Sequence, residues 1–129
     1  MFVYGSLKNG KGNHSLLGNS KFLGRCYIEG PHRLLSLGGY PGLVEKEDIP
    51  NSKVVGEVYQ ISEETLRALD YLEGHPRYYC RYKVETPFKN AWAYYLPAAY
   101  LDKGYPDAGM CWHPSQEELQ WMQGVENNA

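Results

Sequence analysis

Short strand-like runs, separated by turns marked with glycine and proline, constrain this chain more than any other feature. Met1 to Tyr4 is an apolar and aromatic run that breaks at Gly5, so it reads as a buried strand delivering Tyr4 to a loop. Phe22 to Ile28 and His32 to Leu37 read as strands on either side of Glu29-Gly30-Pro31. That tripeptide is a turn signal because proline fixes its own backbone angle and glycine accepts angles that other residues avoid. Gly38-Gly39-Tyr40-Pro41-Gly42 is a second turn, before Leu43-Val44. Lys53 to Ile61 alternates as a strand does, and Tyr78 to Thr86 and Ala91 to Leu96 are two more strands joined by a turn at Pro87 to Asn90.

Helical signals are few. Between Asn9 and Asn19 the chain is loop-like apart from a short helix expected around His14 to Leu17. The best helix follows Ser62, which can cap its start; Glu63 and Glu64 suit the first turn, and Ile61 can pack on Leu66 as a hydrophobic staple. It should stop at Gly74, before Pro76. After a loop from Tyr100 to Pro114, a last helix is expected over Ser115 to Gln123, with Ser115 and Glu118 as a capping box and Leu119 and Met122 as its apolar side. Val125 to Ala129 reads as a frayed tail. The class is therefore α+β: one domain over residues 1–129, built on a mixed or antiparallel sheet that is strongly curved or closed into a small β-barrel, flanked by a few short helices. Closure would leave few exposed strand edges.

Charge and cysteine usage narrow the partners. A net charge of -2 provides no broad basic surface for a nucleic acid or an anionic membrane, and no apolar run is long enough to cross a bilayer. The start of the chain lacks the basic segment and apolar stretch of a signal peptide, so a cytoplasmic protein is expected. Cys26, Cys80 and Cys111 are far apart and read as reduced thiols. His14, His32, His75 and His113 are also scattered, so neither a metal nor a cofactor is expected. Oligomeric state is not written in these features.

One carboxylate stands out. On a helix beginning at Ser62 residues advance by about 100° each, which puts Leu66, Leu69 and Glu73 in one stripe roughly 60° wide, with Asp70 at its margin. Glu73 thus points where an apolar residue belongs. It either escapes to solvent or pairs with Arg77 or Arg81, or it is a desolvated general base whose pKa burial has raised towards 7. Asp70 has the simpler reading of a local hydrogen-bonding residue near a helix end. Among 12 tyrosines, Tyr78, Tyr79, Tyr82, Tyr94 and Tyr95 fall on two adjacent strands, where they can be half-buried sheet residues or the wall of a pocket for a polar ligand.

The segment Gly5-Ser6-Leu7-Lys8-Asn9-Gly10-Lys11-Gly12 nearly matches a nucleotide-binding loop. It fails at the last position, where Gly12 has no hydroxyl for magnesium, and no clear helix follows to face a phosphate. What survives is a strand ending in Tyr4-Gly5-Ser6-Leu7, which is either an ordinary tight connection or a concavity of backbone N–H groups able to hold a carboxylate.

Taken in order, these pieces resemble the gamma-glutamyl cyclotransferase-like family. The likeness rests on Phe2-Val3-Tyr4-Gly5-Ser6-Leu7-Lys8 with Gly10 and Asn13-His14, on Tyr40-Pro41-Gly42-Leu43-Val44, on Gly56-Glu57-Val58-Tyr59, and on Leu69-Asp70 with Glu73, Pro76, Tyr79 and Arg81. It spans residues 2 to about 96. The resemblance implies a small barrel with a cavity between the opening turn and the helix end. It also implies an enzyme that converts a gamma-glutamyl amine or amino acid to 5-oxoproline and the free amine, an intramolecular cyclisation of acyltransferase or lyase type. By position Glu73 matches the catalytic glutamate, Tyr4, Gly5, Ser6 and Leu7 match the substrate-gripping turn, and Tyr79 and Tyr95 match pocket tyrosines. The alternatives are a non-catalytic small-molecule-binding domain of the same fold, or a hydrolase using Ser6 with His14.

Overall fold

The computed structural model describes residues 1–127. Seven strands form in chain order: β1 (Phe2–Val3), β2 (Lys21–Gly30), β3 (His32–Ser36), β4 (Pro41–Glu45), β5 (Ser52–Gln60), β6 (Cys80–Val84) and β7 (Ala91–Leu96). Two helices accompany them, α1 (Glu63–Glu73) and α2 (Gln116–Asn127), with single 3-10 turns at His14–Leu17 and Ala98–Asp102.

The strands assemble into two sheets, one in the order β1-β5-β2 and one in the order β3-β4-β7-β6. All pairs are antiparallel except β4 with β7, which run parallel with Leu43 opposite Tyr95 and Val44 opposite Leu96. Of the two expected arrangements, strongly curved or closed, no closed barrel is found: among the described residues no strand pairing joins the two sheets. The break falls at Pro31, the one residue between β2 and β3. A hairpin needs about two loop residues to reverse the chain, so β3 cannot fold back on β2 and instead enters the other sheet.

Residues of both sheets share a core, with Phe2, Ile28 and Val58 of one meeting Leu34, Leu43 and Tyr95 of the other. β7 is buried on both faces. Ala91, Ala93 and Tyr95 belong to this core, while Tyr94 and Leu96 belong to a second cluster with Val3, Leu7, Leu69 and Tyr79. Leu69 seats α1 in that second cluster at 0% exposure, and Ile61 and Leu66 pack against its edge.

Local sequence dictates α1 at both ends. The Ser62 hydroxyl accepts the Thr65 N–H at 3.1 Å, and Gly74 closes the helix in the left-handed region at φ 64°. The capping box of α2 also forms: the Glu118 N–H donates to Ser115 Oγ at 3.1 Å and the Ser115 N–H donates to Glu118 Oε1 at 3.0 Å. Its expected apolar side is corrected, since Leu119 is 40% exposed whereas Glu118 is 3% exposed. Glu118 turns inward because a cation waits there. The backbone stays helical through Asn127 where a frayed end from Val125 was expected, and residues 128–129 lie outside the described residues. Among the described residues no helix is long and apolar enough to cross a membrane.

Candidate active site

The opening turn is fixed from three directions. Pairing of Phe2 with Val58 and of Val3 with Glu57 holds β1 on the edge of its sheet. Tyr4 follows, and its hydroxyl donates to the Tyr94 carbonyl at 2.6 Å and accepts the Leu43 N–H at 3.1 Å, which ties the turn to β7 and β4. Burial drives the Tyr4 hydroxyl well above its ordinary range, so it stays a neutral strut. At Gly5 any side chain would collide with a neighbour, because a Cβ would lie 2.8 Å from Pro41 Cγ.

From Gly5 the chain bends sharply. The Lys8 N–H closes the turn on the Gly5 carbonyl at 3.0 Å, and Asn13 braces it by donating its N–H to the Ser6 carbonyl and its Nδ2 to Ser6 Oγ, both at 2.9 Å. Among the described residues no acceptor takes the N–H groups of Ser6 and Leu7. Two adjacent free donors at the rim of a cavity suit a carboxylate or an oxyanion.

That cavity measures about 400 Å³, and Gly5, Ser6 and Leu7 line it together with Glu73 from the end of α1. Glu73 stands partly buried beside aromatic rings, and among the described residues nothing pairs with its carboxyl group. Burial alone pushes its pKa up to about 7. The expected escape through Arg81 is taken by another acid: Asp70 Oδ1 accepts Arg81 Nε at 2.9 Å and the Tyr94 hydroxyl at 2.7 Å. Burial by itself would raise Asp70, but the two hydrogen bonds outweigh it and hold this carboxyl below its usual range.

Tyr4 and Tyr79 reach the cavity as expected, although the Tyr79 hydroxyl is engaged, donating to the Pro41 carbonyl at 2.6 Å. Tyr95 does not line it. Successive residues of a strand face opposite ways, so Tyr94 takes the cavity side and Tyr95 packs in the core against Tyr82 and His32. Sequence reading also passed over Tyr40, which lines the mouth and shares a 2.7 Å hydroxyl contact with Tyr78. Its place in Tyr40-Pro41-Gly42, one residue before the proline that abuts Gly5, was the available signal.

The pairing of Ser6 with His14 is corrected. His14 Nδ1 lies 2.9 Å from the Leu7 carbonyl, and Ser6 Oγ meets Asn13 instead, so no imidazole is set to take the serine proton. Among the described residues no group of three His, Cys, Asp or Glu side chains gathers as metal ligands.

Residues 1–117 match the family model described as gamma-glutamyl cyclotransferase, AIG2-like. A provisionally named gamma-glutamylcyclotransferase of Vibrio cholerae is 46% identical over 109 residues, covering 84% of this chain and 91% of that protein. A protein of Niallia circulans, named gamma-L-glutamyl-butirosin B gamma-glutamyl cyclotransferase, is 33% identical over 98% of this chain and 81% of its own. In three dimensions the solution structure of YtfP from Escherichia coli superposes with a TM-score of 0.64 at 37% identity, covering 83% of this chain and 88% of that one. Turn, helix end and overall likeness agree, and the chain belongs to the gamma-glutamyl cyclotransferase, AIG2-like family.

Proposed function

We propose that the protein cyclises a gamma-glutamyl amine or amino acid to 5-oxoproline, releasing the free amine, with Glu73 as the base and then the acid. The observation that carries this reading is the unpaired carboxyl of Glu73, with a pKa of about 7, in one cavity with the free N–H groups of Ser6 and Leu7.

The ionised Glu73 removes a proton from the alpha-ammonium group of the substrate, and the freed nitrogen attacks the gamma-carbonyl carbon. A C–N bond closes the five-membered ring, and the carbonyl electron pair moves to oxygen. Collapse of that oxyanion breaks the bond to the leaving nitrogen, which takes the proton back from Glu73. The ring nitrogen gives up its second proton through the regenerated Glu73 carboxylate to the departing amine, which leaves as its ammonium form. Atoms and charge balance with no oxidant or second reactant.

Magnitudes favour a raised carboxyl. An alpha-amino group near pKa 8 facing an ordinary glutamate near 4.3 makes proton transfer uphill by about 5 kcal/mol. At about 7, the pKa of Glu73 narrows this to about 1.4 kcal/mol. The attack is intramolecular, so holding the substrate in a folded geometry contributes several kcal/mol more, on the order of the gains seen for oriented reactants. Ser6 and Leu7 donors suit either the substrate carboxylate or the oxyanion, while the rings of Tyr4 and Tyr79 wall the cavity. The Niallia circulans relative, named for gamma-L-glutamyl-butirosin B, supports a gamma-glutamyl substrate.

A panel of gamma-glutamyl amines, amino acids and peptides, scored for 5-oxoproline and released amine, tests the reading. Equimolar formation of both products from at least one compound is expected. Ligand binding with no product from any of them would replace the enzyme by a binding module.

A further inference from the structure

Lys8 follows the gripping turn directly, yet it does not line the cavity and is 0% exposed. Its ammonium group meets the Trp112 carbonyl at 2.9 Å, Glu118 Oε2 at 2.9 Å and Cys111 Sγ at 3.5 Å, so its three protons have three acceptors. Glu118 is itself immobilised, since its other oxygen takes the Ser115 N–H at the start of α2. Neighbouring residues add to the same side: the Asn9 N–H donates to Glu57 Oε1 at 2.8 Å, and Lys11 Nζ donates to the His113 carbonyl at 2.6 Å. Lys8, Asn9 and Lys11 are thus tied to β5 and to residues 111–118, whereas Ser6 and Leu7 line the cavity with N–H groups that have no acceptor among the described residues.

We propose that Lys8 and Glu118 are positioning residues that set the Ser6 and Leu7 N–H groups for substrate, making residues 111–118 the back wall of the active site. The catalytic consequence rests on the cyclotransferase reading; the placement of the two N–H groups does not. A buried ion pair adds little stability over apolar residues of the same volume, whereas its hydrogen bonds have direction. What the pair contributes here is the register of the turn against α2.

The double variant Lys8→Met/Glu118→Leu separates the two roles, because it fills the volume without the direction. We expect it to stay folded with a melting point lowered by the lost cap bond to Ser115, to shift the Ser6 and Leu7 amide resonances, and to lower kcat/KM by at least about 30-fold, as a misplaced binding group does. The midpoint of the pH profile, which belongs to Glu73, should not move. A folded double variant with both resonances unmoved, or with kcat/KM within about threefold of wild type, overturns the proposal. Should it fail to fold, Glu118→Gln decides: it keeps an acceptor for Ser115 and removes the charge, so the same two resonances should move and kcat/KM should drop by about tenfold. Unmoved resonances there overturn the proposal as well. A wild type silent on every gamma-glutamyl compound removes the cyclotransferase reading alone, since the resonances then judge the placement by themselves.

Discussion

Two carboxyl groups, Glu73 in front of the opening turn and Glu118 behind it, are both withdrawn from water, and the fold treats them in opposite ways. For Glu118, burial would raise the pKa, but the Ser115 N–H and the Lys8 ammonium outweigh it and hold the group below its usual range. Glu73 has burial without such partners, and its pKa rises to about 7. Low dielectric surroundings do not fix the sign of a shift; the partner does. The back of the turn is therefore built to stay charged and still, and the front is built to exchange a proton.

The widest separation between the two should appear in turnover. Glu73→Gln removes both the acceptance and the return of the proton and should lower kcat by at least about 1000-fold, or about 4 kcal/mol, within the range that general acid-base groups supply. Steady-state kinetics with the best substrate of the panel measures it. If Glu118→Gln costs as much as Glu73→Gln, front and back are not functionally distinct.

Next in size is an effect on stability, and it has the reverse sign. Glu73 keeps its proton in the folded protein up to a pKa of about 7, but loses it near the ordinary 4.5 when unfolded. Native protein therefore binds more protons between these values, and stability falls as pH rises from about 4.5 through about 7. The full loss is up to about 3 kcal/mol above pH 7. Glu73→Gln should recover up to that amount in urea unfolding at pH 8 and should gain nothing at pH 4. A variant no more stable than wild type at pH 8 would mean that Glu73 is hydrated.

The same pKa sets the acid limb of activity. Catalysis needs ionised Glu73, so kcat/KM should fall about tenfold per pH unit below 7, reaching about 100-fold at pH 5, or about 2.7 kcal/mol. A midpoint near 4.5 would put Glu73 among ordinary solvated carboxylates.

How far this contrast was legible in the sequence depends on how far apart its parts lie. Ser62 and Gly74 delimit α1 through bonds to residues within a few positions, so both caps could be read directly. The place of Glu73 in line with Leu66 and Leu69 follows from helical periodicity alone. Nothing local announces that Lys8 is buried, because its partner Glu118 is 110 residues away. Nor does Ala91 to Leu96 reveal which tyrosine faces the cavity: with both faces of β7 buried, the run is apolar throughout and its alternation is hidden. The two-sheet arrangement was missed for a related reason, since strand partners are set by distant contacts and not by the strands' own residues.

Ser6 tests the contrast with the smallest expected effect. It lines the cavity, its N–H has no acceptor among the described residues, and its hydroxyl is held by Asn13 Nδ2 at 2.9 Å. A cyclising enzyme uses the N–H, which Ser6→Ala retains; the loss is then one hydrogen bond bracing the turn, of about 1 kcal/mol, and kcat/KM should fall less than about tenfold. A serine hydrolase would collapse on the same change, by about 1000-fold or more, because the hydroxyl oxygen would be the nucleophile. Since His14 faces the Leu7 carbonyl and not this hydroxyl, the smaller loss is the expected one. A collapse in kcat would instead move the chemistry from the helix end to the turn.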